Sequence, residues 1–250
     1  MRFNIISSGS KGNATIIQHK NTVILIDMGI TLTRLEEGLS EFNLTVNDID
    51  AALFTHDHTD HIGGLKFISP NIQYALEGTL PTSLSHVVNL WEEFQIKDMF
   101  VTPVPTSHDA TNPCGYLIKA DGETLLYITD TGMMLEETIN FVKNPTYIIM
   151  ESNHDIKMLM NTNRPFELKD RIMSNHGHLC NEDSAIAVTE IVGPDTKEIY
   201  LAHLSEEANT PELALDAYRR IFQHFGMNLD KYKVVCAHQH HSAFGGHYED

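Results

Sequence analysis

The sequence predicts an α/β protein built on mixed β-sheet. Short apolar runs alternate with amphipathic stretches along most of the 250 residues, as strands and helices do. Several neighbouring strands lie close enough for hairpins, which a purely parallel sheet excludes. Polar, metal-competent residues follow strand-like runs at Asp27, His56, His108, Asp130, Glu151 and His203, and carboxyl ends of strands are where open α/β layers carry their ligands.

Arg2 to Ile6, Ala14 to Gln18 and Thr22 to Asp27 read as the first strands. The loop Ser7-Ser8-Gly9-Ser10-Lys11-Gly12-Asn13 lets backbone N–H groups approach an anion, yet taken alone it is an ordinary hairpin loop. Thr31 to Phe42 is an amphipathic helix with Thr31 as its cap. Ile49 to Thr55 is a strand, and Gly63 to Ile68 opens a helix that Pro70 stops. Asn71 to Met99 is expected to hold a strand and short helices, with Trp91 packed among them. Phe100 to Thr106 is interrupted by Pro103 and Pro105, hence an edge strand. Gly115 to Lys119 and Thr124 to Thr129 form a hairpin across Asp121-Gly122. Met133 to Phe141 is a helix and Thr146 to Met150 a strand ending at Glu151.

Ser152 to Asn181 is polar and irregular, too long for a simple connection, and is expected to serve as a lid or partner surface. Glu182 to Val192 is a helix, Glu198 to Ala202 a strand, Pro211 to Phe225 a helix with Pro at its start, and Lys233 to Ala237 the last strand. Met133-Met134, Met158 and Met160 read as core filling. No repeat or linker appears, so residues 1–250 are taken as one domain with a 152–181 insertion. The 238–250 tail carries His238, His240, His241 and His247 and reads as solvated.

A hydrophobic share of 42 % suffices for a packed interior. The net charge of −17 argues against loose, sequence-independent binding to nucleic acid, which needs basic surface. No apolar run spans a bilayer, and MRFNIISSGS is no signal peptide. Cys114, Cys180 and Cys236 are too widely spaced for a disulfide framework or a zinc knuckle. A reduced, cytoplasmic protein without membrane attachment is expected.

The chemistry concentrates in LFTHDHTDHIGG, from Leu53 to Gly64. His56, His58, Asp60 and His61 offer imidazole nitrogens and a carboxylate, the donors zinc and its first-row neighbours accept. His56 and His58 lie two apart in an extended loop, point the same way and can share one ion. Asp60 and His61 follow the bend and can serve a second. Asp27 is expected to buttress the ligand loop.

With these residues in hand the chain resembles the metallo-β-lactamase superfamily. SSGSKGNAT, THDHTDHIGG, TSHDATNPCGY, ITDTG, MESNHDIKML, GHLCNEDSAIA and LAHLSEEANTPELA fall in the order of its YycJ/WalJ-like branch, which is related to the tRNA 3′-processing endonucleases. The resemblance covers nearly the whole chain and implies an αββα sandwich, two mixed sheets face to face with helices outside. It also implies two divalent ions, zinc or manganese. His56, His58 and His108 would hold the first, Asp60, His61 and His203 the second, and Asp130 would bridge them. This set differs from that of the true β-lactamases, which lack the bridging Asp.

Two ions sharing a water would lower its pKa towards ~7 and turn it into a nucleophile, which makes Asp60 catalytic as well as structural. Glu151 and His178 match the pair that protonates the leaving oxygen, His178 as acid and Glu151 orienting it. His154 and His176 line or order the same pocket, and Ser205 contacts phosphate or caps its turn. The resemblance implies a phosphodiesterase with 5′→3′ DNA exonuclease activity. The acidic surface favours the alternative, a phosphodiesterase of cyclic nucleotides such as those phages use against immune signals. A non-catalytic, metal-stabilised binding protein and an iron-loaded redox protein are the other classes. A homodimer through the insertion or the tail is a further expectation.

Overall fold

The computed structural model describes residues 1–81 and 86–247. Two mixed sheets pack face to face. In the first, β1 (Arg2–Ser7), β2 (Ala14–His19) and β3 (Thr22–Ile26) run antiparallel in succession, and β4 (Ala51–Leu53), β5 (Gln73–Leu76) and β6 (His86–Val88) continue parallel from β3. The second repeats this plan. Here β7 (Phe94–Ile96), β8 (Met99–Pro105), β9 (Cys114–Ala120) and β10 (Glu123–Ile128) are antiparallel. Then β11 (Tyr147–Glu151), β12 (Glu198–Ala202) and β13 (Lys233–Cys236) continue parallel from β10.

Both faces of the central strands are buried, which is why they read as unbroken apolar runs. Phe3, Ile24, Leu53, Tyr116, Leu125, Tyr127 and Tyr200 point between the sheets. Ile16 and Leu25 face outward onto Leu35 and Leu39 of α1 (Leu32–Ser40). Leu126 and Ile148 face outward onto Val188 of α6 (Asn181–Ile191) and Phe222 of α7 (Pro211–His224). The result is the expected αββα sandwich. Thr31 caps α1 through its side chain, Thr210 caps α7 ahead of Pro211, and Asp121-Gly122 turns the β9–β10 hairpin with both residues at positive φ.

Several expectations need correction. No helix opens at Gly63. A single turn, α2 (Thr59–Ile62), forms inside the histidine loop instead, and Leu65–Phe67 is only a 3₁₀ turn. Between Asn71 and Met99 the described residues form strands β5, β6 and β7 and a 3₁₀ turn at Pro70–Ile72 rather than short α-helices; the part of this expectation on 82–85 lies outside them. Trp91 is 36 % exposed and meets Phe141, the last residue of α3 (Glu136–Phe141), edge-on instead of packing inside. β8 is not an edge strand, because β7 pairs with its first residues, and the prolines fall beyond that pairing.

The 152–181 segment is not irregular. It folds into α4 (Ile156–Met160) and α5 (Phe166–Met173), with Leu159 and Ile172 in a small core of their own. Met133 and Met160 are exposed, so they are not core filling. The tail is not simply solvated. Ala243–Gly246 forms β14 on the free edge of β1, and buried Gln239 bonds Ser7 Oγ at 2.8 Å and the Gly12 carbonyl at 2.9 Å. Residues 248–250 of that expectation lie outside the described part. The three cysteines are buried and unpaired. Among the described residues no helix is long and apolar enough to cross a membrane.

Candidate metal centre

Strands β3 and β4 are parallel to each other, as are β10, β11 and β12, and β8 runs the same way as β10 through two antiparallel steps. Their carboxyl ends therefore open at common edges of the two sheets. Asp27, Asp130 and His203 each sit just past a strand with φ of 58°, 54° and 55°. This left-handed backbone is sparsely populated by residues with a side chain and concentrates at functional sites.

Gly29 then lets the chain pass the histidine loop. A Cβ there would lie 1.6 Å from the Asp60 carbonyl oxygen. The close approach is used, since Asn13 N donates to that oxygen at 2.8 Å and Met28 N donates to the His61 carbonyl at 2.7 Å.

The candidate ligands come together as the resemblance implied. His56, His58 and His108 form one cluster, with His58 Nδ1 and His108 Nε2 3.3 Å apart. Asp60, His61 and His203 form another. Asp130 lies between them, its Oδ1 3.8 Å from His108 Nε2 and 3.6 Å from His203 Nε2, its Oδ2 3.2 Å from His61 Nε2.

The donor atoms fit divalent ions. His56 Nε2, His203 Nε2 and Asp130 Oδ2 are buried without a hydrogen-bond partner, which is costly unless something else satisfies them. His61 Nε2 has Asn13 Nδ2 3.0 Å away, but that amide also reaches the Gly9 and Asp60 carbonyls at 3.1 and 3.4 Å and can yield. Glu151, His178, Asp130 and His203 make a further cluster. Glu151 is less suited to bind an ion, because its oxygens are already engaged. Oε1 accepts from His178 Nδ1 at 2.8 Å and His203 Nδ1 at 2.9 Å, and Oε2 from the Thr131 and Leu179 amides at 2.9 and 3.2 Å.

These outer bonds fix which imidazole nitrogen faces the centre. Buried Asp27 accepts from His61 Nδ1 at 2.8 Å and from the Thr55 hydroxyl, whose oxygen lies 3.0 Å from His56 Nδ1. The Gly177 carbonyl holds His108 Nδ1 at 2.9 Å, and Asn153 bonds the His203 carbonyl at 2.9 Å. Thr55, Asn153 and Gly177 were missed in the sequence, where only the place of Thr55 before HxHxDH gave any signal.

Electrostatics divide the histidines. Burial, reinforced by neighbouring imidazoles, pushes His56 and His108 towards the neutral form. Burial also opposes the charge on His61, but Asp130 and Asp27 outweigh it and raise its pKa to about 10. Against the same burial, Asp130, Asp60 and Glu151 raise His203 well above the usual imidazole range. Burial disfavours the Glu151 carboxylate, yet His178 and the bonds from both imidazoles bring its pKa to about 2.

His154 is buried and lowered to about 4 by desolvation, its Nδ1 unpartnered; it orders the β-bridge to Cys180. His176 is exposed, with Nδ1 3.1 Å from the Ser107 hydroxyl. Ser205 caps its turn through Ala208 N at 3.2 Å.

A model of the β-lactamase superfamily domain matches residues 22–204. The chain belongs to that superfamily. Its two seven-stranded mixed sheets with outer helices are the metallo-β-lactamase fold. Over 92 % of each chain it is 32 % identical to exodeoxyribonuclease YycJ of Bacillus anthracis, and over 85 % of each it is 33 % identical to exodeoxyribonuclease WalJ of Streptococcus pneumoniae. This places it in the YycJ/WalJ-like branch of the metallo-β-lactamase superfamily. The crystal structure of the metallo-β-lactamase fold protein YhfI from Bacillus subtilis superimposes with a TM-score of 0.74 at 15 % identity, covering 98 % of this chain and 99 % of that one. The chain is a hydrolase of this superfamily, and its donor clusters suit divalent metals.

Proposed function

We infer that this protein is a two-metal phosphodiesterase whose substrate is DNA, degraded as a 5′→3′ exonuclease in the cytoplasm. The observation that carries the reading is the joining of two ligand clusters by Asp130 next to a Glu151–His178 pair, in a chain 32 % identical to an exodeoxyribonuclease over 92 % of its length.

His56, His58 and His108 would hold the first ion, Asp60, His61 and His203 the second, with Asp130 between. Zinc is the first candidate and manganese the second, since nitrogen–oxygen donor sets take either. Bound there, divalent ions would supply an acidified water and stabilise charge growing on the phosphoryl oxygens.

The chain supplies the rest. Asp60 and Asp130 supply the negative charge that would offset the repulsion between two bound cations. Glu151 accepts a hydrogen bond from His178 Nδ1–H, which turns Nε2 towards the departing oxygen; protonated on both nitrogens, the ring gives its Nε2 proton to that oxygen and is left as the neutral Nδ1–H imidazole. Because Glu151 is saturated by four donors, it orients His178 without itself acting as the acid.

The net charge of −17 favours a second reading, a phosphodiesterase of cyclic nucleotides. Protein reloaded with zinc or manganese is tested on 5′-phosphorylated duplex and single-stranded DNA, and in parallel on 3′,5′-cyclic mononucleotides. Stepwise loss of DNA, absent after chelation and in Asp60→Ala/His61→Ala, is expected. Cleavage of cyclic nucleotides with DNA untouched would overturn the exonuclease reading in favour of the second.

A homodimer through α4, α5 or the tail is a further proposal, motivated by exposed Ile156, Met160 and Phe166 on those helices. A monomeric mass in light scattering at micromolar concentration would end it.

A further inference from the structure

A cavity of about 910 Å³ opens beside Asp60. Lys11, Arg34, Lys66 and Phe67 line it. Three of the chain's 17 Lys and Arg residues thus meet in one concavity of a protein with net charge −17. They come from separate elements, the β1–β2 loop, the first turn of α1 and the turn after α2. Local sequence therefore cannot show their convergence.

Each cation is available to an anion. Arg34 is fixed on the wall by bonds from Nη2 to the His240 carbonyl at 2.9 Å and the Ile6 carbonyl at 3.2 Å, and its Nη1 pairs with Glu37 at 3.4 Å, a contact between side chains 32 % and 60 % exposed that an anion can compete with. Lys66 forms no ion pair among the described residues, and its ammonium lies 5.0 Å from the centre of the Phe67 ring. Lys11 pairs with Glu206, but the two side chains are 62 % and 43 % exposed, and such surface pairs hold together weakly. Phe67 is 39 % exposed, so its ring is open to a second flat group.

Past Ser10 the cavity meets a smaller one lined by Arg164, His178 and His203. Ser10 lines both. The path therefore runs from the basic groove across the centre to the proposed acid. Cations spaced along a groove with an aromatic platform are what proteins use to hold single-stranded nucleic acid, charges on the backbone and rings under the bases.

We propose that this groove holds one DNA strand, with Lys11, Arg34 and Lys66 on its phosphates and Phe67 under a base, and leads it across the metal centre. The proposal rests on the phosphodiesterase reading and narrows it to a polymeric substrate, because a cyclic mononucleotide at the centre leaves these cations unused.

The test is fluorescence anisotropy of the full chain with a labelled phosphorothioate single strand of about 12 nucleotides, within the usual range of site sizes. It is run across a salt series. Lys11→Ala and Lys66→Ala are expected to weaken binding several-fold. Each should also flatten the slope of log affinity against log salt by about 0.7, the contribution of one phosphate contact on a single strand. Phe67→Ala is expected to weaken binding about tenfold with the slope kept, and Phe67→Trp to restore it. Lys119→Ala, which removes the same charge from β9, controls for net charge. Arg34 is left intact because it also ties α1 to the tail.

No binding by the unaltered protein, or unchanged affinity and slope in all three alanine variants, would overturn the groove. Cleavage of ordinary DNA by the metal-loaded protein is scored separately. Binding as expected without cleavage defeats the exonuclease reading and keeps the groove, whereas cleavage with unchanged slopes defeats the groove alone.

Discussion

The two halves of the centre are built from the same imidazoles and supported differently. In the His56, His58 and His108 half, the anchoring atoms are neutral oxygens, the Thr55 hydroxyl and the Gly177 carbonyl. In the Asp60, His61 and His203 half they are buried carboxylates, Asp27 behind His61 at 2.8 Å and Glu151 behind His203 at 2.9 Å. Burial wins in the first half and pushes His56 and His108 towards the neutral form, while in the second Asp130 first, and then Asp27 at His61 and Asp60 and Glu151 at His203, outweigh it and raise both imidazoles. The same side chain becomes a different donor according to what stands behind it. A carboxylate behind an imidazole raises its basicity and its hold on a cation.

Several variants would break or sharpen this contrast. The largest effect is expected from Asp130→Ala, which removes the carboxylate shared by both halves. Metal content should fall at both positions and turnover by more than the ~10²-fold that loss of an outer partner costs. If one ion is retained with most of the activity, as read by metal analysis and steady-state assay, the two halves are independent.

Next comes His178→Ala, which should lower turnover by ~10² to 10⁴-fold with metal content unchanged. Loss of metal along with activity would mean that His178 supports the second half and does not act as the acid.

Asp27→Asn tests the contrast directly. It keeps the shape and removes the charge behind His61, so affinity at the second position should fall ~10- to 100-fold. Thr55→Val, which removes a neutral hydroxyl 3.0 Å from His56 Nδ1 and 3.2 Å from His61 Nδ1, should cost less and be felt at both positions. Equal losses in competition titrations with a chelating dye would dissolve the distinction.

The smallest effect concerns stability and His154, whose imidazole burial lowers from 6.5 to about 4. Between these values the unfolded chain takes up a proton that the folded chain refuses. The His154 contribution to stability should therefore decline as pH falls from 6.5 towards 4 and stay constant below. His154→Gln should remove that part of the slope in urea midpoints measured across the range, while Glu151, held near 2, keeps contributing down to lower pH.

Local pattern determined much of this protein. HxHxDH marked a cluster of candidate metal donors because donors one or two residues apart must share a loop. Asp121-Gly122 fixed its hairpin because only a left-handed turn closes two right-twisted strands. Thr31 and Pro211 marked helix starts because their groups satisfy or spare unpaired amides. The double-sided burial of β10 and β11 was legible as uninterrupted apolar runs.

Tertiary structure alone decided where the remote groups meet. Whether His108 and His203 reach the same ions, and whether Glu151 stands behind one imidazole or two, depends on strands far apart in sequence sharing a carboxyl edge. The fate of weakly patterned segments was decided the same way. The tail offered few apolar residues, yet β1 had an open edge and Ala243–Gly246 paired with it. The 152–181 segment looked irregular because its own core is only Leu159, Ile172 and Ala208 with Leu168 against it, too small to stamp a period on the sequence. Lys11, Arg34 and Lys66 lie on separate elements, and only the fold turns three scattered charges into one basic groove.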